Sequence, residues 1–375
     1  MKSPSLALRM LGVVPTPSLV PDAVAARLQL FLDRMRAEAV AYGPDAAALV
    51  ESGADTLVGG KRLRARFCHA GWRSVARQRD RAAAEHDALW DVCAALEIFQ
   101  SAALVHDDII DNSDTRRGRP AAHRALEASH RDAGWTGDAA AFGRSSAILL
   151  GDLLVAWSDD LFEDAVDSLP HAGTVRREYA RMRRDVTVGQ FLDIAEESAW
   201  SVNATESHVE RALRVVSLKS ARYSIEQPLV LGAAVAEADA EQLRALRRFG
   251  HPVGMAFQLR DDVLGVFGDA VVTGKPAGDD LREGKRTVLV ALTRQTLDNS
   301  ARNLFDEMLG DPELTPEQIG FLQATIAESG ALDRVESMID DYAKEADRAL
   351  SGARLDNAAV GDLRDLARAA TVRAA

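Results

Sequence analysis

Apolar residues recur along almost the whole chain at intervals of three and four. Leu332, Val335, Met338, Ile339, Tyr342, Ala346 and Leu350 trace one face of a helix in this way. No stretch alternates with period two over the length of a strand, so no strand is predicted. Thr315-Pro316-Glu317-Gln318 is a capping-box pattern with proline at the first helical position, and it predicts a further helix start. Gly, Pro and Asp cluster near 53–60, 112–120, 132–138, 168–173, 268–284 and 310–315, which predicts the breaks between helices. None of these is long enough for an interdomain linker, and no fixed-period repeat is present. Residues 1–21, with Pro15, Pro17 and Pro21, read as an irregular lead-in. The expectation is one all-α domain over 22–375 whose long helices enclose a central cavity.

Composition narrows the class. A chain of 375 residues with 47% hydrophobic content can bury a large core. A formal charge of −12 argues against a nucleic-acid partner, which needs a basic stripe. Cys68 and Cys93 are the only cysteines, too few for a disulfide framework or a cysteine metal site. No apolar run is expected to span a membrane, because the best, Ala147 to Trp157, is broken by Asp152. Arg9 interrupts the weak apolar patch of the N-terminus, so no signal peptide is expected. These features predict a soluble, cytoplasmic protein.

The chemistry concentrates in Val105-His106-Asp107-Asp108-Ile109-Ile110-Asp111-Asn112-Ser113-Asp114-Thr115-Arg116-Arg117-Gly118. If the apolar run before it is helical, Asp107 and Asp111 share a face, one turn of roughly 5.4 Å apart. Like charges at that spacing repel, and hard oxygen donors on one face suit Mg²⁺ bound together with substrate phosphates. Arg116 and Arg117 would add guanidinium forks for the same phosphates. The alternative is a solvated acidic face. Leu96, Ile98, Phe99, Leu104 and Val105 make the preceding helix largely apolar, which favours carboxylates projecting into a cavity.

A second acidic pair, Asp261-Asp262, ends another apolar helix in Phe257-Gln258-Leu259-Arg260-Asp261-Asp262-Val263-Leu264-Gly265, although an Arg260/Asp261 surface pair explains it equally well taken alone. Two inward-facing Asp-rich ends could surround a diphosphate with several metal ions. Basic clusters stand at Gly59-Gly60-Lys61-Arg62-Leu63-Arg64, at Lys219-Ser220 and over Thr273–Lys285. The paired glycines read as opening a helix whose free N–H groups favour an anion, with Lys61 and Arg64 one turn apart as its clamp; an ordinary Gly-rich turn is the alternative. No GxxxxGK[ST], HExxH, GxSxG or GxGxxG pattern is present.

With these motifs in order, the chain resembles the trans-isoprenyl (polyprenyl) diphosphate synthases over Gly59–Arg64, Glu97–Arg117, Gln190–Asp193, Lys219–Ser220 and Phe257–Thr287. The resemblance implies the all-α isoprenoid synthase type I fold, a homodimer, and condensation of isopentenyl diphosphate with an allylic diphosphate by ionisation, condensation and elimination. It implies that Asp107 and Asp111 hold two Mg²⁺ and Asp261 a third. Asp108 and Asp262 complete the acidic pairs. Arg116, Lys219, Ser220, Gln258, Lys275 and Lys285 match positions that touch the allylic diphosphate, and Lys61, Arg64, Gln100 and Arg117 match those that bind isopentenyl diphosphate. Two departures stand out: Gly265 occupies the place of a third Asp in the second motif, and Ala65 the place of a proline after GKRxR. A terpene cyclase would not need the second anion site, and a catalytically silent regulatory subunit would not need both acidic motifs.

Product length depends on the helix face below Asp107. Ala103 lies roughly 6 Å and Phe99 roughly 12 Å below the first carboxylate at 1.5 Å rise per residue. In relatives that stop at farnesyl diphosphate an aromatic often stands four or five residues before the first Asp, where this chain has Ala103 and Ala102. The nearer gate is open, and Phe99 is either the floor or plain core packing. The expectation is geranylgeranyl diphosphate (C20), with farnesyl or longer polyprenyl products as alternatives.

Overall fold

The computed structural model describes residues 19–75, 83–167, 169–268 and 277–371. Ten helices come first: α1 (Leu19–Ala39), α2 (Pro44–Thr56), α3 (Leu63–Val75), α4 (Ala83–Ile110), α5 (Ala122–Asp132), α6 (Ala139–Val166), α7 (Ala172–Ala199), α8 (His208–Val215), α9 (Gln227–Val235) and α10 (Ala240–Phe267). A π-helical segment, Val216–Glu226, joins α8 to α9. The helices Asp279–Arg282, Val288–Thr296, Asn299–Met308, Pro316–Glu328, Ala331–Ala349 and Asn357–Thr371 follow. The all-α expectation holds apart from one short hairpin described below.

Local chemistry sets the boundaries. Asp138 starts α6 by accepting from the Ala140 and Ala141 N–H groups. Asp239 and Gln242 form a capping box at α10, and Thr315 and Gln318 form the expected one ahead of Pro316. The lead-in is shorter than 1–21, because α1 begins at Leu19 and carries Pro21 in its first turn. Proline is tolerated there, where its missing N–H would have had no helical partner.

The buried residues form two cores. The larger draws on α1–α7 and α9, with Trp72, Leu96, Ile98, Phe162, Met182 and Leu229 at its centre. The smaller joins Leu259 and Val263 to Leu281, Val288, Phe305 and Leu322 of the later helices. Helix α10 belongs to both, contributing Leu246, Phe249 and Val253 to the first and Met255, Leu259 and Val263 to the second. Two glycines bring flanking helices onto the π segment between them. A Cβ on Gly189 of α7 would lie 2.4 Å from the Lys219 nitrogen, and one on Gly254 of α10 would lie 2.4 Å from the Ala221 carbonyl oxygen.

The expectation that no apolar run reaches span length is corrected. Asp87–Ile110 and Ala139–Val166 are long and apolar enough by length and composition, and in the second Asp152 does not lower the hydropathy of a full window sufficiently. The window in the first is 78% buried inside the protein and is core, whereas that in the second is only 28% buried. Its exposed face carries Ile148 and Leu149.

Candidate functional site

Helix α4 delivers the first acidic run and closes in a Schellman turn. Asn112 adopts φ 51, and the Ser113 N–H donates to the Asp108 carbonyl at 2.9 Å. Asp111 still donates its N–H to the Asp107 carbonyl at 2.8 Å, so the two side chains keep helical spacing. The chain then reverses through a hairpin in which Thr115 and Arg116 pair with Pro120 and Arg119. Arg117 (φ 55) and Gly118 (φ 72) supply the two left-handed turn residues of a two-residue loop. This corrects the expectation of no strand: two-residue strands leave no alternating pattern to read.

The hairpin aims its arginines in two directions. Arg116 Nε donates to Asp108 Oδ1 at 2.7 Å, and its Nη2 lies 3.6 Å from Asp107 Oδ2. Arg117 turns to the glycine loop, where a Cβ on Gly60 would lie 2.9 Å from its Nη2.

The π segment places Lys219 between α4 and α7. Its Nζ lies 2.5 Å from Asp193 Oδ2 and 3.3 Å from Asp107 Oδ1, while Gln190 Nε2 donates to the same Asp107 oxygen at 3.0 Å. Ser220, the next residue, is half-buried. On α10, Asp261 is exposed and Asp262 is buried, accepting from Gln258 Nε2 at 2.8 Å. Both sit more than a turn before Phe267, inside the helix instead of at its end. Arg260 faces away, bidentate to Glu336 at 2.5 and 2.6 Å. Lys285 Nζ lies 2.9 Å from Asp280 and 2.7 Å from Glu283. Lys275 lies outside the described residues.

Electrostatics ties the two acidic segments together. Burial, then the neighbouring Asp107, pushes Asp111 up to about 7, against the pull of Lys219 and Lys285. Burial pushes Asp262 up to about 8; Gln258 and Lys285 oppose it, and Asp280 and Asp261 add to it. Lys285 thus acts on carboxyls of both segments. Burial disfavours the Lys219 ammonium, but Asp193 and Asp107 outweigh it and raise its pKa. Among the described residues no three acids, histidines or cysteines converge into a ready-made cage for an ion. Carboxylates on two sides with raised proton affinity fit a hard divalent cation whose remaining ligands are water and phosphate oxygens.

A second cationic cluster forms beside the first. Arg64 stacks over the Tyr223 ring at 4.1 Å and donates to Ser224 Oγ at 2.9 Å. Arg62 Nη1 lies 3.6 Å from Glu97 Oε2. Burial, with Arg62, Arg116 and Arg64 nearby, lowers the Arg117 pKa, and Glu97 is the acid that opposes this. Such an excess of guanidinium over carboxylate favours an anion. Lys61 is exposed and precedes α3, so it is not a helical neighbour of Arg64 as expected; Gly59 (φ 77), Gly60 (φ 87) and Arg62 (φ 50) delay the helix start to Leu63. Ala65 removes nothing from that start, because its N–H donates to Glu97 Oε1 at 3.1 Å, a bond proline could not make. Gln100 Oε1 accepts from the Tyr223 hydroxyl at 2.8 Å. Phe99 is buried with its edge toward Tyr223, Ala102 is fully buried and Ala103 is half-buried.

The profile of the polyprenyl synthetase family matches residues 47–325. The chain belongs to that family. It is 31% identical over 226 residues to a short chain isoprenyl diphosphate synthase of Methanocaldococcus jannaschii, 60% of this chain and 62% of that protein, so the match spans under two thirds of the relative's length. It is 32% identical over 262 residues to a geranylgeranyl diphosphate synthase of Mycobacterium tuberculosis, 70% of this chain and 68% of the relative. Among solved structures, a geranylgeranyl pyrophosphate synthase of Corynebacterium glutamicum, complexed with isoprenyl diphosphate and magnesium, superposes with TM-score 0.90 at 38% identity, covering 96% of this chain and all of that one.

This polyprenyl synthetase also gathers residues to which the sequence reading gave no role. Gln190 and Asp193, three apart on α7, had a helical-spacing signal that pointed to one face. Glu97 only opened a matched stretch, and Tyr223 had no signal. Asp280 explains Gly265: a Cβ at that glycine would lie 1.9 Å from Asp280 Oδ2, so the Asp280 carboxylate occupies the space a side chain there would need.

Proposed function

We propose that this polyprenyl synthetase condenses isopentenyl diphosphate with an allylic diphosphate to give a trans-prenyl diphosphate, with geranylgeranyl diphosphate (C20) favoured and farnesyl or longer products as alternatives. The observation that carries the reading is Lys219, poised 3.3 Å from Asp107, with Lys285 acting on carboxyls of both acidic segments and a separate arginine cluster alongside. One diphosphate site rich in acids and one in which arginines outnumber the single acid Glu97 is what a two-diphosphate condensation needs. Relatives named for farnesyl and nonaprenyl products match as well, which keeps the alternatives in play.

Asp107, Asp111 and Asp261 would hold Mg²⁺, three ions in this reading, with Asp108 and Asp262 completing the acidic pairs behind them. When bound, Mg²⁺ neutralises charge developing on the departing diphosphate. Arg116, Lys219 and Lys285 bind that diphosphate as fixed cations, helped by Ser220 and Gln258, and the family resemblance adds Lys275; such preorganised charge is usually the dominant catalytic contribution. Lys61, Arg64, Gln100 and Arg117 hold isopentenyl diphosphate so that its double bond meets the allylic cation. The proton released on elimination goes to the freed diphosphate, since among the described residues no side chain is placed as a general base. Ala103 and Ala102 put no aromatic side chain at the nearer gate of the tail path, and Phe99 is assigned as its floor.

A cytoplasmic homodimer is part of the proposal. The exposed Ile148 and Leu149 of α6 and Val188, Phe191 and Ile194 of α7 give an apolar surface for a second copy. Leu149→Glu should yield a monomer by light scattering. The function itself is tested by incubating the purified chain and Mg²⁺ with isopentenyl diphosphate and each allylic primer, then sizing the products. C20 is expected; cyclic hydrocarbon or no condensation would overturn the reading, and mainly C15 or C30 would overturn the length.

A further inference from the structure

Tyr223 lies four residues beyond Lys219 on the same π-helical segment. Hydrogen bonds of the i→i+5 type widen each turn, so residues four to five apart come to one side, and such turns are frequent at functional sites. Three groups with different duties meet its buried ring. Arg64 stands 4.1 Å above it, Gln100 Oε1 accepts from its hydroxyl at 2.8 Å, and Phe99 meets it edge-on with ring centroids 5.8 Å apart. Arg64 is fixed further by Ser224, the next residue of the segment, at 2.9 Å.

We infer that Tyr223 is a positioning and specificity residue that couples the two substrate sites, holding Arg64 and Gln100 in place for isopentenyl diphosphate while bracing Phe99 at the floor of the tail channel. The inference rests on the roles given above to Arg64, Gln100 and Phe99. A guanidinium stacked on a ring and bonded at one end is pre-organised for a bidentate anion, so less side-chain freedom is lost on binding. Burial pushes the tyrosine up to about 12, Arg64 opposing, so the phenol stays a neutral donor to Gln100 at working pH. A ring that served only to fill the core would be replaced without loss by phenylalanine.

The test is steady-state kinetics with product sizing on Tyr223→Phe, Tyr223→Leu, Phe99→Ala and Arg64→Ala. Tyr223→Phe removes the hydroxyl alone and should raise KM for isopentenyl diphosphate roughly threefold to fivefold, leaving kcat, primer KM and product size unchanged. Tyr223→Leu also removes the stack and the brace, so KM should rise roughly tenfold or more and products should lengthen. Phe99→Ala added to Tyr223→Leu should lengthen them little further, because both changes release the same floor. Wild-type KM and product sizes in both Tyr223 variants, or an equal rise in the KM of primer and isopentenyl diphosphate, would overturn the inference. Should Tyr223→Leu fail to fold, the KM of Tyr223→Phe decides. An unchanged isopentenyl diphosphate KM in Arg64→Ala overturns the site assignment instead, a separate failure.

Discussion

The two Asp-rich segments, assigned one role in the proposed function, are built differently. The first sits where α4 ends, and part of its counter-charge is local: the hairpin just beyond the helix folds Arg116 back onto Asp108, while Lys219 reaches Asp107 from the π segment. The second lies inside α10, has Gly265 in place of a third acid, and takes its neighbours from a distant segment. Asp280 lies over the Gly265 Cα and is bound by Lys285 at 2.9 Å. Where a helix ends, the following residues can return to the motif; within a continuous helix they cannot, and another part of the chain must supply the charge. A carboxylate missing from the linear motif is therefore not missing from the space around it.

The comparison breaks most plainly if either segment is dispensable. Asp107→Ala and Asp261→Ala should each lower kcat at least about 100-fold in saturating Mg²⁺, the scale for losing a preorganised charge contact. Their circular dichroism should match the wild type, since removing one of several repelling carboxylates relieves repulsion. A variant with near-normal turnover would show its segment to be a solvated face.

Next in size is Gly265→Asp, which restores the linear motif. Because the new side chain collides with Asp280, it should destabilise the fold by about 1–3 kcal/mol and lower kcat roughly tenfold. Adding Asp280→Ala should recover stability, as read by thermal unfolding. A single Gly265→Asp variant as stable as the wild type would mean the two carboxylates do not compete for one space.

Lys61→Ala sharpens the contrast between the acidic segments and the arginine cluster. It should raise KM for isopentenyl diphosphate roughly tenfold with kcat little changed, the signature of binding common to ground and transition states. A rise in the allylic KM instead would exchange the two sites.

The smallest effect concerns Glu226, at the end of the π segment. Burial, opposed by Arg222 and Arg247, pushes its carboxyl up to about 7. The folded state therefore binds the proton more tightly than the unfolded chain. The stability this gives is complete below the unfolded pKa near 4.5 and is lost as pH rises to about 7. Glu226→Gln should gain Tm relative to the wild type at pH 8 and not at pH 4. A pH-independent difference would exclude the buried proton as its cause.

Much of this was legible from spacing. Helical periodicity carried the fold class and put Asp107 and Asp111 on one face, whereas Lys219 and Lys285 were placed beside them by the family resemblance alone. The helix starts at Leu19 and Leu63 were misplaced by a few residues, since proline is compatible with a first turn and Gly-Gly with an extended loop. The hairpin at Thr115–Pro120 was too short to show a period. Asp280 over Gly265 and Tyr223 beneath Arg64 depend on long-range packing that linear spacing does not encode. The Ala147–Trp157 run of α6 was set aside as a span because of Asp152, and only the fold shows that its outer face, with Ile148 and Leu149, is exposed.

The most direct measurement is Mn²⁺ binding, read by paramagnetic resonance, to the full chain with a non-ionisable allylic diphosphate analogue. The account expects three ions bound only in the presence of the analogue, fewer in Asp107→Ala and in Asp261→Ala, and analogue affinity that collapses on chelation. Equal analogue affinity with and without metal, or unchanged ion binding in both variants, would contradict the claim that the two segments hold one diphosphate between them through metal ions.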